Sequence, residues 1–362
     1  MKAVRLHAYG KRPTLDEIAD PKITGPHDVV VRIGGAGLCR TDLHIVEGQW
    51  KEKSHVLLPY TLGHENAGWV HAVGSAVEHV AVGDTVIVHP LITCGFCRHC
   101  RAGDDMHCGR GAFPGIDTDG GFAEYLKTVA RAVVKLDPKV QPQDVAALAD
   151  AGLTAYHAVK KSIPLLYPGT TAVVIGGGGR LGHIGIQSLK ALTAAAVIVV
   201  DKSEGALDLA GKCGADHTVL ANGNQIAKVK EITGSAGCEA VLDFVGEGGA
   251  IADGIAMLRR AGTYYVIGYG GMIDVPAIDM ISQEINFVGN LVGTYNDLSE
   301  LMTLAAKGQV SLETRVYPLS AFNDAMNDLD KGSLHGRGIF VPTITSPAFT
   351  VKEPLYEEKN DK

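Results

Sequence analysis

The chain has 362 residues, 46% of them hydrophobic and 20% charged, with a formal net charge of −7. That length and composition point to two domains, with ample material for two packed cores. Acidic and basic residues are mixed along the chain, with no basic stripe to read as a nucleic-acid surface and no like-charge block to read as an interaction tail.

The opening Met1-Lys2-Ala3-Val4-Arg5 lacks a continuous apolar stretch of signal-peptide length, and the longest apolar run, 194–200, is far too short to cross a bilayer. The expectation is a cytoplasmic protein with neither membrane nor nucleic acid as partner. Up to about Gly152 the chain reads as mostly β. Residues 28–33 (DVVVRI), 68–73 and 84–88 are β-branched runs closed by Gly or Pro. From about Thr171 strands and helices alternate. Strands are expected at 171–175, 196–200, 218–220, 240–244 and 264–268, and helices at 181–192 and 205–212, with further helical stretches between the later strands. Apolar strands alternating with helices imply a parallel sheet covered on both faces, a doubly wound nucleotide-binding domain. Beyond Leu291 come helices at 298–306 and 321–329 and a last strand at 338–342, which needs a partner sheet. The first domain is the natural partner, which makes that domain discontinuous: 1–152 with 296–342, around a nucleotide domain at 153–295. Residues 343–362 are polar, contain two prolines and read as a loosely attached tail.

Seven cysteines without a secretory signal argue against a disulfide framework and for metal or catalysis. Four of them, Cys94, Cys97, Cys100 and Cys108, lie within fifteen residues, enough to wrap one ion tetrahedrally. Zinc suits that soft, closed set, and Gly95 and Gly103 allow the tight turns. Such a site leaves no position for substrate and is structural. Two disulfides or an iron–sulfur cluster are the alternatives. Elsewhere, Cys39 and His64 could hold a second zinc with an open position; a buried small hydrophobe and a satisfied polar side chain are the duller readings.

The run Gly176-Gly177-Gly178-Gly179-Arg180-Leu181-Gly182-His183 follows a strand and opens a helix, the setting of a dinucleotide turn. Counted back from Leu181, the fingerprint is Gly177, Gly179 and Gly182; counted from the strand it starts at Gly176. Asp201 ends the next strand nineteen residues after Gly182, where a carboxylate should meet the adenosine ribose. Asp201 also repels a 2′-phosphate, which favours NAD over NADP, although Lys202 beside it softens that repulsion.

Together these residues resemble the zinc-containing medium-chain alcohol dehydrogenases, over about residues 1–342. The resemblance rests on GLCRTDLH (37–44), LGHENAG (62–68), the cysteine lobe, DGGFAEY (119–125), the glycine turn and GRGIFVP (336–342). It implies an α/β chain, a Rossmann-type doubly wound parallel sheet plus a mostly β GroES-like catalytic domain. It also implies two zinc ions per chain and NAD. Cys39, His64 and Asp150 would bind the catalytic zinc, Asp150 standing where many relatives carry cysteine, as in some microbial branches. Glu65 would support that site or serve as a fourth ligand. Thr41 and His44 match the proton-relay positions, and Arg40 and Arg337 match basic positions that meet the pyrophosphate. Thr154, Phe244 with Val245, and Val266-Ile267-Gly268 resemble segments around the nicotinamide. Relatives often have one residue fewer near Arg180. They form dimers or tetramers, often through an edge strand, for which 284–291 (EINFVGNL) is the candidate.

Trp50, Leu58 and residues 89–92 are candidates for an apolar pocket, which would suit medium-length or secondary alcohols. A polyol or sugar dehydrogenase is the nearest competing reading, and a non-catalytic sensor binding NAD and zinc is the competitor from another class.

Overall fold

The computed structural model describes residues 1–54, 56–179, 181–334 and 336–342. Arg180 and the expected tail at 343–362 lie outside the described residues.

Five of the nucleotide-domain strands expected from the sequence are present, and a sixth lies at the edge. In sheet order they are His217–Leu220, Ala196–Asp201, Thr171–Ile175, Cys238–Asp243, Leu258–Val266 and Asn286–Gly289. All neighbours run parallel. The central strands are continuous apolar runs because helices cover both faces: Ala172, Val173, Val174, Val197, Ile198, Val199, Val241 and Leu242 are all fully buried. Strand order reverses between Ala196–Asp201 and Cys238–Asp243, on either side of Thr171–Ile175, which puts a ligand crevice beyond the carboxyl ends of these strands.

The other half is built on a seven-stranded sheet whose spine is the long strand Asp28–Leu38. It pairs antiparallel with Glu65–Val73 and Tyr125–Val129. The strand Arg337–Val341 returns from the far end of the chain to pair with it, Gly338 opposite Leu38 and Phe340 opposite Ala36. The core on this side gathers Val29, Val31, Leu62, Phe122, Leu126 and Phe340, all nearly inaccessible. Among the described residues no helix is long and apolar enough to cross a membrane.

Two helices carry site residues to the crevice. Arg40–Val46 starts directly after the spine strand, with Cys39 at its N-cap and Asp42 in its first turn. Ala151–Ser162 starts after Asp150 and leads across to the nucleotide sheet.

Candidate active site and metal centres

The crevice between the two halves has a volume of about 1290 Å³. Cys39, Arg40, Thr41, His44, Trp50, Asp150 and Thr154 line one side of it. Gly176, Gly178, Gly179, Leu181, Asp201, Lys202, Phe244, Ile267 and Gly268 line the other, and Arg337 also reaches it. Of the residues expected around the nicotinamide, Val266 does not line the crevice; it ends its strand one residue earlier.

Cys39, His64, Glu65 and Asp150 each present a ligand atom, and these atoms lie within 4.8 Å of one another. His64 Nε2 is 3.4 Å from Asp150 Oδ2, and its Nδ1 is 3.3 Å from Asp42 Oδ1. Neither ring nitrogen has a good hydrogen bond, although His64 is buried. A buried imidazole nitrogen without a partner costs free energy. A zinc ion with bonds of about 2.0–2.1 Å would satisfy Nε2, and about 3.4 Å is the edge of the resulting tetrahedron. The residues fit the metal. Burial alone would depress the His64 imidazole, but the negative charge of Asp42 and the nearby acceptors of Asp150 and Cys39 raise its pKa well above the ordinary value. The pocket is therefore built for a cation.

The supporting contacts explain how each ligand is aimed. Asp42 is fully buried; its Oδ2 accepts the Cys39 N–H at 2.8 Å while Oδ1 faces His64. One carboxylate thus ties two candidate ligands together, the orienting arrangement common behind metal-bound histidines. Asp150 sits at an N-cap position, yet its side chain makes no capping bond. Glu65 Oε1 serves that helix start instead, accepting the Ala151 N–H at 2.9 Å. Asp150 is thereby left to Thr154, whose hydroxyl donates to Oδ1 at 3.4 Å, and to His64. The other oxygen of Glu65 accepts from Arg337 Nη2 in a fully buried ion pair. Burial favours the neutral form of Glu65, and Arg337 opposes it; the net direction is upward. Among the described residues Arg337 Nε and Nη1 have no partner, two buried donors suited to an anion.

On the nucleotide side the glycines are sterically required. A Cβ at Gly177 would meet Val199 Cγ1 at 2.2 Å, at Gly178 the Ala206 carbonyl at 2.2 Å, and at Gly182 the Gly176 carbonyl at 2.1 Å. Gly179 is less constrained, its nearest contact being 3.0 Å. Gly178, which the motif spacing passed over, is thus under more demand than Gly179. Asp201 accepts N–H groups from Gly178 at 3.2 Å and Lys202 at 2.7 Å, which fixes its carboxylate at the turn. His183 braces the same turn. Burial holds its pKa down to about 4, so the ring is neutral and Nδ1–H donates to the Gly179 carbonyl at 2.9 Å.

The cysteine lobe forms a separate cluster, with all four sulfurs within 4.8 Å of one another. Cys97 and Cys100 sulfurs are 3.5 Å apart, Cys94 and Cys100 3.9 Å. About 3.8 Å is the edge of a zinc–thiolate tetrahedron with 2.3 Å bonds. All seven cysteines are free thiols, so the alternative of two disulfides is not what the chain forms here. The N–H groups of Phe96 and Cys97 draw the Cys94 thiol down to about 5. Burial and the neighbouring Cys97 push Cys100 up to about 11. Thiols crowded this closely release their last protons to solvent when a cation takes their place on the sulfurs.

Of the expected pocket residues, Leu58, His89, Pro90, Leu91 and Ile92 do not line the crevice. Leu58 packs against the core of the β half. His89 is buried, its Nε2 3.0 Å from the Gly293 carbonyl, a contact set by the chain 204 residues on that no local pattern announces. Trp50 does line the crevice, joined by Phe113, Ile116, Leu291 and Val292. Sequence reasoning missed these four and Asp42. Asp42 had a signal, lying between Cys39 and His44 in the motif; the other four had none.

A dinucleotide-type sheet facing a β domain with a buried Cys–His–Asp cluster has the layout of a two-domain oxidoreductase. Residues 25–138 match the alcohol dehydrogenase GroES-like domain, and residues 181–307 match the zinc-binding dehydrogenase domain. An NAD-dependent alcohol dehydrogenase from Saccharolobus solfataricus is 34% identical over 350 residues, covering 94% of this chain and all of that protein. A D-arabinose 1-dehydrogenase (NADP(+)) from the same organism is 33% identical, over 94% of this chain and 97% of its own length. The crystal structure of the alcohol dehydrogenase from Aeropyrum pernix superposes with a TM-score of 0.91 at 45% identity, covering 94% of this chain and 100% of that one. The chain belongs to the zinc-containing medium-chain alcohol dehydrogenase family.

Proposed function

We propose that the protein is an NAD- and zinc-dependent alcohol dehydrogenase. It would interconvert small to medium apolar primary or secondary alcohols with their aldehydes or ketones. The observation that carries this reading is the cluster of Cys39, His64 and Asp150, of which Cys39 and Asp150 line the same crevice as Asp201 and the glycine turn. A zinc ion held there supplies Lewis acidity, lowering the pKa of an alcohol hydroxyl, and NAD supplies the hydride acceptor.

The chain's own residues do the rest. Thr41, whose hydroxyl is 3.8 Å from Cys39 Sγ, and His44 carry the alcohol proton away toward solvent. Asp201 accepts from the ribose hydroxyls and repels a 2′-phosphate. Arg40, and Arg337 with its spare donors, face the pyrophosphate, while Thr154, Phe244, Ile267 and Gly268 bound the nicotinamide end. Trp50, Phe113, Ile116, Leu291 and Val292 form an apolar wall that favours hydrocarbon over hydroxylated substrates. The D-arabinose dehydrogenase among the relatives makes a sugar the alternative substrate class, and this wall argues against it. The cysteine lobe would hold a second, structural zinc. Residues 1–152 with 296–342 would form the catalytic unit and 153–295 the nucleotide unit.

The test is NADH formation across a panel of alcohols and sugars, with NAD and with NADP, before and after chelation. Chelator-sensitive oxidation of aliphatic alcohols with NAD is the expected result. Turnover confined to sugars would transfer the reading to the alternative.

A further inference from the structure

The histidine assigned above to proton release does not stand alone. His44 Nδ1 lies 2.9 Å from the hydroxyl of Tyr269. The two rings also meet edge to face, centroids 5.7 Å apart at an interplanar angle of 68°. His44 belongs to the helix Arg40–Val46 of the β half, whereas Tyr269 follows the strand Leu258–Val266 of the nucleotide sheet. The bond therefore crosses the crevice, and both residues line it.

Tyr269 is 55% exposed, so burial does not hold it in place. Its loop does. Gly268 N–H donates to the Asp243 carbonyl at 2.8 Å, and Gly271 N–H donates to the Gly246 carbonyl at 2.7 Å. An exposed tyrosine on a turn anchored at both ends presents its hydroxyl at a fixed place with few rotamers to lose. A neutral imidazole has one donor and one acceptor nitrogen, and the partner of one nitrogen sets the state of the other. The phenol engages Nδ1 as donor or as acceptor, and the edge-to-face contact fixes the ring plane.

We propose that Tyr269 is a positioning residue for His44. Its hydroxyl sets the orientation of that imidazole from the opposite wall, so that the relay is in order only when the two halves of the molecule face each other as they do here. Tyr269 itself transfers no proton. The proposal rests on the reading of His44 as part of the proton path.

The substitution Tyr269→Phe keeps the ring contact and removes only the hydroxyl. In the zinc-loaded enzyme we expect kcat for alcohol oxidation to fall about 10-fold, a fraction of what a general acid–base group contributes. KM for the alcohol and the Kd for NADH should stay within about two-fold, because the substitution leaves the binding walls intact. In a His44→Gln background the same substitution should cost less than about two-fold, since coupled residues are non-additive. Equal losses in both backgrounds, or no loss in the first, would overturn the proposal. A second readout needs no turnover: with histidines labelled with nitrogen-15, the His44 Nδ1 resonance, identified by its absence in His44→Gln, should move on Tyr269→Phe. An unmoved resonance overturns the hydrogen bond. An enzyme inert toward every alcohol but showing the shift would remove the assigned reaction and leave the Tyr269–His44 coupling standing.

Discussion

Asp42 shows how much of a metal centre can rest on a residue that is not a ligand. It is fully buried, holds the Cys39 N–H and faces His64 Nδ1. Read locally, Asp42 is an acid in the first turn of a short helix, a favourable place for a carboxylate near the helix N-terminus. Its second role depends on His64, brought alongside by the pairing of Glu65–Val73 with the spine strand, and no local pattern encodes that. Outer partners of metal-bound histidines are typically worth 10–100-fold in metal affinity. We therefore expect Asp42→Asn to weaken zinc binding by about that factor, read by competition with a chromophoric chelator. An unchanged affinity would mean that Asp42 only caps the helix. Cys39 and His64 stood out as candidates because short motifs carry them, and Asp150 only through the family resemblance; the apolar wall did not, because Phe113 and Leu291 look like any core residue until the fold turns them to the crevice.

At the scale of elements, the two helices that connect the halves are locked together by one carboxylate. Asp297 lies in the first turn of Tyr295–Ala306 and accepts from His157 Nδ1 and Lys160 Nζ of Ala151–Ser162, each at 2.8 Å. Burial alone would raise its pKa, but the bonds from His157, Lys160 and the Thr294 N–H hold it well below the usual carboxylate range. A depressed folded-state pKa contributes stability that is fully present above the unfolded value near 3.9 and is lost as pH falls through the folded value. Asp297→Asn should lower stability at pH 7 by on the order of 2 kcal/mol, as for hydrogen bonds to charged groups. The gap from wild type should be constant down to about pH 4 and close below it, as followed by urea unfolding at a series of pH values. A gap independent of pH throughout would refute the clamp. The element pattern of the nucleotide half was readable from its apolar runs, including the sheet-edge candidate, observed as Asn286–Gly289. The helix Arg40–Val46 went unassigned because its seven residues are too few for a period to show.

For the whole molecule, the strand Asn286–Gly289 ends the parallel sheet, with no further strand beside it among the described residues. Met272, Ile278, Ile281 and Leu291 are exposed in the same part of the chain. An open strand edge beside apolar side chains is an aggregation hazard unless something covers it. A second copy of the chain pairing edge to edge would do so with two-fold symmetry, giving the dimer, or a dimer of dimers, expected from the resemblance. Ile281→Asp should then shift the native mass toward that of one chain, as measured by light scattering. A wild-type protein that is already monomeric would refute the interface.

In the proposed mechanism Cys39, His64 and Asp150 would hold a zinc ion on which alcohol oxidation depends, apart from the zinc of the cysteine lobe. The direct measurement pairs zinc content per chain with the rate of alcohol oxidation in wild type and Asp150→Ala. Two zinc ions are expected in wild type, about one in the variant, and a rate at least about 100-fold lower, in keeping with the loss of metal-ion catalysis. An Asp150→Ala enzyme that keeps both ions and the full rate would contradict the proposed mechanism.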